Sequence, residues 1–291
     1  MTDQPSSAGA PRLAPGLYLV ATPIGAARDI TLRALDILSA ADVIAAEDTR
    51  TARKLMEIHG IALGGRPLVA YHDHSGPGAR DRLAAMVGEG RSVAYVSEAG
   101  TPLVADPGYQ LSRAMIEAEL PVFAAPGASA VLAALTVSGL PSDRFLFAGF
   151  PPQAAGAMKT WVAELAPVGA TVILYESPRR VHRLLDVLVE SFGPDRPMAL
   201  CRELTKRFEE VLRGSVEEVR SAIADRSLKG EIVLVIGKGA PVQASAETLE
   251  DALRKALQTM TVKDAAVHVA AELGLKKRDV YQAALKLEAE G

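Results

Sequence analysis

Val96-Ser-Glu-Ala-Gly-Thr-Pro-Leu-Val-Ala-Asp-Pro-Gly108 is the stretch on which the fold turns. Before it, Ser92-Val-Ala-Tyr-Val96 is a short apolar run of the kind that makes a buried strand, and after it Tyr109 to Ala118 has helical spacing. A strand therefore feeds a small-residue loop at its carboxyl end. In open α/β sheets that end gathers backbone N–H groups and helix starts around a ligand. Gly100 and Gly108 let the main chain come close to such a ligand, while Pro102 and Pro107 fix φ and hold the loop in one shape. Alone, the stretch also fits an ordinary strand-to-helix connection.

Working outward, Leu17 to Ala21 reads as the first strand, Thr22-Pro-Ile-Gly25 as a tight turn, and Leu32, Leu35 and Leu38 as one helix face. No G-x-G-x-x-G follows the turn, which argues against a nicotinamide or flavin site, and there is no phosphate-binding P-loop pattern. Val43 to Ala46 is a second strand, ending at Glu47-Asp-Thr-Arg50; these polar residues either cap a helix or face the ligand crevice. Leu68 to Tyr71 is a third, ending at His72-Asp-His74, where no further ligand is in view to build a metal site. Val122 to Ala124 reads as an edge or crossover strand. Pro126-Gly127 then opens an apolar helix, with Ser129 near its start as a simple cap or a grip on a ligand.

From Pro141 the alternation restarts, with strands at Phe145 to Phe147, Thr171 to Tyr175, Met198 to Cys201 and Ile232 to Ile236, and helices around Trp161 and over Arg179 to Glu190. The expectation is an α/β protein of two α/β domains, 16–124 and 125–238, preceded by a disordered tail over 1–15. Lys238 to Ser245 reads as a linker. The remainder, 246–291, reads as a helical extension in which two short helices around Gly274, with Lys276-Lys-Arg278, have helix-turn-helix proportions.

A length of 291 residues suits two domains. The single cysteine, Cys201, excludes an internal disulfide framework and points to a reducing compartment. With 32 basic and 35 acidic residues the net charge is −3, so any nucleic-acid contact must come from local basic patches. The uncharged run Leu120 to Ser142 is broken by Pro121, Pro126, Gly127, Gly139 and Pro141, which favours strand, turn and helix over a membrane span. The start lacks the apolar core of a signal peptide, and a cytoplasmic location is expected.

Eight runs carry a family resemblance: Leu17 to Gly25, Ala46-Glu-Asp-Thr-Arg50, Tyr71-His-Asp-His74, Ser97 to Gly108, Pro126-Gly-Ala-Ser-Ala130, Tyr175-Glu-Ser-Pro178, Arg202-Glu-Leu-Thr-Lys206 and Lys229-Gly-Glu-Ile-Val233. In content and order they resemble the 16S ribosomal RNA cytidine-2′-O methyltransferases of the tetrapyrrole methylase superfamily. The resemblance implies S-adenosylmethionine (S-adenosyl-L-methionine) held between two α/β domains, a homodimer, and 2′-O-methylation of a cytidine ribose in the decoding region of 16S rRNA in the small ribosomal subunit. Carried over by motif, cofactor contacts fall to Ile24, Ala99, Gly100, Thr101, Val104, Ser129, Ala130, Glu176, Leu204 and Gly230. The chain departs from the family pattern at Ala26-Ala27, where Asn-Leu is usual, at Glu98 for Asp, and at Arg179 where a histidine is usual. Phe150-Pro-Pro152 also lacks nearby basic residues before Lys159.

Methyl transfer from a sulfonium requires no metal, only alignment and relief of the hydroxyl proton. Glu47, Asp48 and Glu203 are the candidate proton acceptors, and Arg50, Arg202 and Lys206 the candidate cations, each alternatively an ion pair across the cleft. Glu203 and Lys206 are favoured because their run follows a strand and contains Leu204. RNA contacts are expected from Arg50, Arg53, Lys54, Arg179, Arg180, Arg183, Lys206 and Arg207. Two rival readings are a C-methyltransferase of tetrapyrroles and a non-catalytic RNA-binding assembly protein.

Overall fold

In the computed structural model, residues 12–72, 75–238, 246–273 and 275–290 are described. Asp73 and His74 of the histidine pair, most of the 1–15 tail, the linker residues 239–245 and Gly274 lie outside them.

Strands β1 (Gly16–Val20), β2 (Val43–Ala46), β3 (Leu68–Ala70), β4 (Ser92–Val96) and β5 (Val122–Ala125) form one sheet in the order β3-β2-β4-β1-β5. Every pairing in it is parallel. Buried on both faces, its central strands are almost wholly apolar, as parallel strands must be. Helices α1 (Leu32–Ala40) and α2 (Thr49–Ile58) pack Ile37, Leu38 and Met56 against Tyr18, Val20 and Ile44 on one face. Helices α3 (Pro77–Gly88) and α4 (Tyr109–Glu117) pack Leu83, Val87, Leu111 and Met115 against Leu17, Val43 and Tyr95 on the other. The chain leaves β1 toward β2 and leaves β4 toward β5, in opposite directions from adjacent strands. A crevice opens where such connections diverge, here beyond Val20 and Val96.

Helix α5 (Ala130–Ser138) follows β5 and packs on a second sheet made of β6 (Phe145–Gly149), β7 (Thr171–Glu176), β10 (Ile232–Ile236), β8 (Pro197–Arg202) and β9 (Glu210–Ser215), in that order. The uncharged run Leu120 to Ser142 thus divides into β5, a turn and α5. Helices α6 (Ala155–Leu165), α7 (Val181–Phe192) and α8 (Val216–Ile223) cover the opposite face through Met158, Leu184, Leu188 and Val219.

This half is not a second round of simple strand-helix alternation. Only β6 and β7 are parallel; β10 runs antiparallel to both its neighbours, and β8 pairs antiparallel with β9. Strand β9 carries no clear sequence signal because it is a half-buried edge containing Glu210, Arg213 and Gly214. Helix α8 has a readable start, since Ser215 and Glu218 form a complete capping box.

Helices α9 (Ala246–Leu257), α10 (Val262–Glu272) and α11 (Lys277–Glu290) enclose a core of their own around Leu253, Val269, Val280 and Ala284. Thr261 caps α10 by accepting from the Asp264 N–H. Because this core is separate, a chain ending at Lys238 is expected to keep the urea midpoint of the two-sheet portion, as followed by tryptophan fluorescence from Trp161; a lower midpoint would mean that the helices brace the sheets.

Candidate active site

A cavity of about 590 Å³ lies between the carboxyl ends of β1 and β4 and the elements α5, β7 and β10. Its size suits a small organic ligand. Thr22 and Gly100 exchange both backbone hydrogen bonds, at 2.8 and 3.0 Å, so the first turn and the β4 loop move as one piece. The Thr101 hydroxyl donates to the Ala128 carbonyl at 2.9 Å, adding the turn before α5. The Glu98 N–H donates to Glu47 Oε2 at 3.0 Å, adding the end of β2. Across the cleft, the Ala26 N–H donates to Thr205 Oγ1 at 3.1 Å. Gly25 lies so close to the second lobe that a Cβ there would sit 2.6 Å from Thr205 Oγ1 and 3.1 Å from the Leu204 carbonyl oxygen.

Backbone strain is concentrated in two walls. Leu103 and Ala105 take positive φ of 72° and 59° in the β4 loop, and Glu203 and Thr205 take 52° and 62° after β8. Non-glycine residues in this region cost on the order of 1–3 kcal/mol each and persist where their surroundings hold them. Gly100 (φ 81°) and Gly230 (φ 89°) supply the same conformation without that cost.

Ile24, Ala99, Gly100, Thr101, Val104, Ser129, Ala130, Glu176 and Gly230 all line the cavity. Leu204 is buried behind it in one apolar cluster with Ile24, Val131 and Ile173. Ser129 is the N-cap of α5, but its hydroxyl makes no capping bond and stays available to the cavity. Lys206 also lines the cavity. Glu203 does not: its Oε1 accepts from Lys206 Nζ and from the Glu231 N–H, both at 3.0 Å. Glu47 is committed to the Glu98 N–H, and Asp48 caps α2 and pairs with Arg50. Arg202 is paired with Glu210. Arg50, Arg53, Lys54, Arg179, Arg183 and Arg207 are exposed. Arg180 turns inward, donating to the Pro151 and Pro152 carbonyls beside Glu176, so the expectation of an outward phosphate contact does not fit its placement.

Comparison with known proteins supplies the family. The model of Tetrapyrrole (Corrin/Porphyrin) Methylases matches residues 16–220, and that of the RsmI C-terminal HTH domain matches 243–288. The chain is 46% identical over 281 residues to the Ribosomal RNA small subunit methyltransferase I of Mesorhizobium japonicum, covering 95% of this chain and 93% of that one. The chain belongs to the tetrapyrrole methylases, in the ribosomal RNA small subunit methyltransferase I branch. Among solved structures, uroporphyrin-III-C-methyltransferase from Thermus thermophilus superimposes with a TM-score of 0.54 at 26% identity, over 76% of this chain and 94% of that one. A structure of the same Thermus enzyme complexed with S-adenyl homocysteine shares the fold, at 21% identity and a TM-score of 0.53 over 76% of this chain and 97% of that one.

The electrostatics of this methylase cavity are lopsided. Glu98, Asp106, Glu176 and Glu231 line it, against one cation, Lys206. Burial pulls the Lys206 ammonium pKa down, but its bonds to Glu231 and Glu203 outweigh that and raise it, so it stays charged. The Glu203 carboxyl is held below the usual range, first by the Glu231 N–H and then by Lys206. A carboxylate so held is a poor proton acceptor, which corrects the favoured role for Glu203: it positions Lys206. Glu176 is buried, with Oε1 accepting from the Ser177 N–H at 2.7 Å. Its Oε2 lies 3.1 Å from Arg180, an ion pair out of line for a hydrogen bond.

Asp106, Tyr175 and Glu231 are lining residues that the motif reading did not single out. Asp106 stands inside the opening stretch, but its environment is made by residues distant in sequence. Replacing Gly25 with alanine is expected to wedge the first turn away from Thr205 and Leu204 and to weaken cofactor binding by about tenfold or more, measured by calorimetry, with the unfolding midpoint nearly unchanged. Unaltered affinity would show that the two lobes need not meet there.

Proposed function

We propose that the chain transfers the methyl group of S-adenosylmethionine to the 2′-oxygen of a cytidine ribose in the decoding region of 16S rRNA. The observation that carries this reading is the charge of the cavity in a chain that follows the ribosomal RNA methyltransferase branch along nearly its whole length. Four carboxylates facing one lysine suit a co-substrate bearing a sulfonium and an ammonium. The bound donor supplies an already activated methyl group. The Gly100 backbone, free of a Cβ, and the start of α5 at Ser129 and Ala130 offer N–H groups and a hydroxyl to hold it. Ile24, Val104 and the buried Leu204 supply apolar surface, and Glu176 a buried acceptor. Ala99, Thr101 and Gly230 complete the wall.

Lys206, fixed by Glu203 and Glu231, favours the developing alkoxide of the acceptor ribose. RNA is held by the exposed cations Arg50, Arg53, Lys54, Arg179, Arg183 and Arg207, with a further cationic groove of about 330 Å³ formed by Lys263, Lys277, Arg278 and Tyr281 on the C-terminal helices. Among the described residues no ion pair occupies those three groove cations. A cytoplasmic homodimer belongs to the same proposal. Edge strand β6 exposes Phe145 and Leu146, an apolar surface suited to a second copy. Among the described residues no helix is long and apolar enough to cross a membrane.

The test is incubation with labelled S-adenosylmethionine and small ribosomal subunits, followed by mapping of 2′-O-methyl positions. Label at a decoding-region cytidine is expected; label on a porphyrin precursor instead, or none with either, would reject the reading. Lys206→Ala is expected to lower transfer by about 100-fold or more while cofactor affinity survives. RNA affinity should fall by about 100-fold when salt is raised fourfold, if roughly five phosphates are neutralised at ~0.7 in slope each.

A further inference from the structure

We propose that Asp106 is the group that removes the proton from the acceptor ribose hydroxyl, an assignment that rests on the methyl-transfer reading above. Every other candidate carboxylate is engaged or set back from the reaction. Glu47 and Glu203 accept backbone N–H groups and do not line the cavity. Glu231 Oε2 accepts from Lys206 at 2.9 Å. Glu176 is divided between the Ser177 N–H and Arg180. Glu98 is exposed at the rim. Asp106 is half-buried on the cavity wall and takes part in no ion pair among the described residues. It follows directly on Leu103 and Ala105, the two strained residues of the loop, and precedes the rigid Pro107, so its backbone is fixed before any substrate arrives.

The surroundings also give it the right basicity. Burial, then the charges of Glu47, Glu98 and Glu231, push the Asp106 carboxyl up to about 6, against an ordinary value of 3.8. The Ser97 hydroxyl pulls the other way, without reaching hydrogen-bond geometry. From β7, Tyr175 faces it as a neutral phenol, its own pKa raised to about 12 by burial and then by the Asp106 charge. Lys206 is the cation on the same cavity. At neutral pH a carboxyl of this kind is mostly ionised, yet a far stronger proton acceptor than an exposed aspartate. In the step itself the ribose oxygen forms its bond to the methyl carbon, and the electrons of the breaking carbon–sulfur bond stay on sulfur, which leaves as a neutral thioether. The hydroxyl proton passes to an Asp106 Oδ and then to solvent through the open mouth.

Asp106→Asn keeps the shape and removes the acceptor. It is expected to lower turnover on small subunits by about 100-fold or more and to abolish the acid limb of the kcat profile near pH 6, with S-adenosylmethionine affinity within about threefold of wild type. A second readout needs no turnover. A carboxyl whose folded pKa is raised favours the folded state at low pH, and that contribution is lost as pH rises from about 4 through 6. The wild-type melting temperature should therefore fall relative to Asp106→Asn across that window, leaving the variant at least as stable at pH 8. Wild-type turnover in Asp106→Asn, or a loss of cofactor affinity as large as the loss of turnover, would overturn the assignment. Parallel melting curves for the two proteins across that window would overturn it as well. An inactive wild type with a normal Asp106 melting signature would instead reject the methyl-transfer reading.

Discussion

The site depends on two backbones meeting where neither has room for a side chain. On one side Thr22 and Gly100 exchange two hydrogen bonds, which turns two loops of the first sheet into one surface. On the other, Gly25 is pressed against Leu204 and Thr205, with the Ala26 N–H bonded to the Thr205 hydroxyl. The cavity is the space left between those contacts. Because α5 packs under both, in an apolar cluster that mixes Ile24 and Val104 from the first lobe with Leu204 and Val233 from the second, the lobes share a core at this point. Such a shared core fixes the cleft width to within a packing distance, which a reaction between two bound molecules requires.

Charge is distributed against the usual expectation for an RNA-acting protein. The cavity is acidic, and the cations stand outside it on α2, α7 and the loop after β8. The split follows from the two substrates. A sulfonium donor is held by carboxylates in a confined, poorly hydrated space where their field is strong. A polyanion is held by exposed cations at the rim. A net charge of −3 is then no obstacle, because affinity for phosphates depends on the local patch and not on the whole molecule. Lys206 stands at the boundary and is the one cation admitted inside, and Glu203 and Glu231 together keep it charged there.

The first sheet was legible because parallel strands buried on both faces must be continuous apolar runs, and Leu17 to Val20, Val43 to Ala46 and Val93 to Val96 are such runs. The cavity wall was legible too, since small residues and prolines at strand ends mark close backbone approach. Strand β9 was not, because an edge strand can carry Glu210 and Arg213 without burying them. The roles of Glu203 and Asp106 were not legible for a different reason. Both are carboxylates near a strand end, and only the neighbours brought in by the fold separate them: the Glu231 N–H and Lys206 for one, burial and a ring of like charges for the other. Local sequence carries no trace of that difference. Asp48 illustrates the same limit, since its position before Thr49 allows either a catalytic acid or a helix cap, and only the bond it accepts from the Arg50 N–H decides for the cap.

Both strained walls end on a group that handles charge. Leu103 and Ala105 lead into Asp106, and Glu203 and Thr205 flank the turn that delivers Lys206. A relaxed loop could carry the same residues, but it would sample several positions, and bringing an acceptor carboxylate among Glu47, Glu98 and Glu231 would be opposed by their repulsion each time. Holding the backbone in an unfavourable conformation removes that choice when the protein folds. The cost therefore falls on stability, where the extensive apolar cores of the two sheets absorb it, and not on the reaction, where each molecule of substrate would have to overcome it anew.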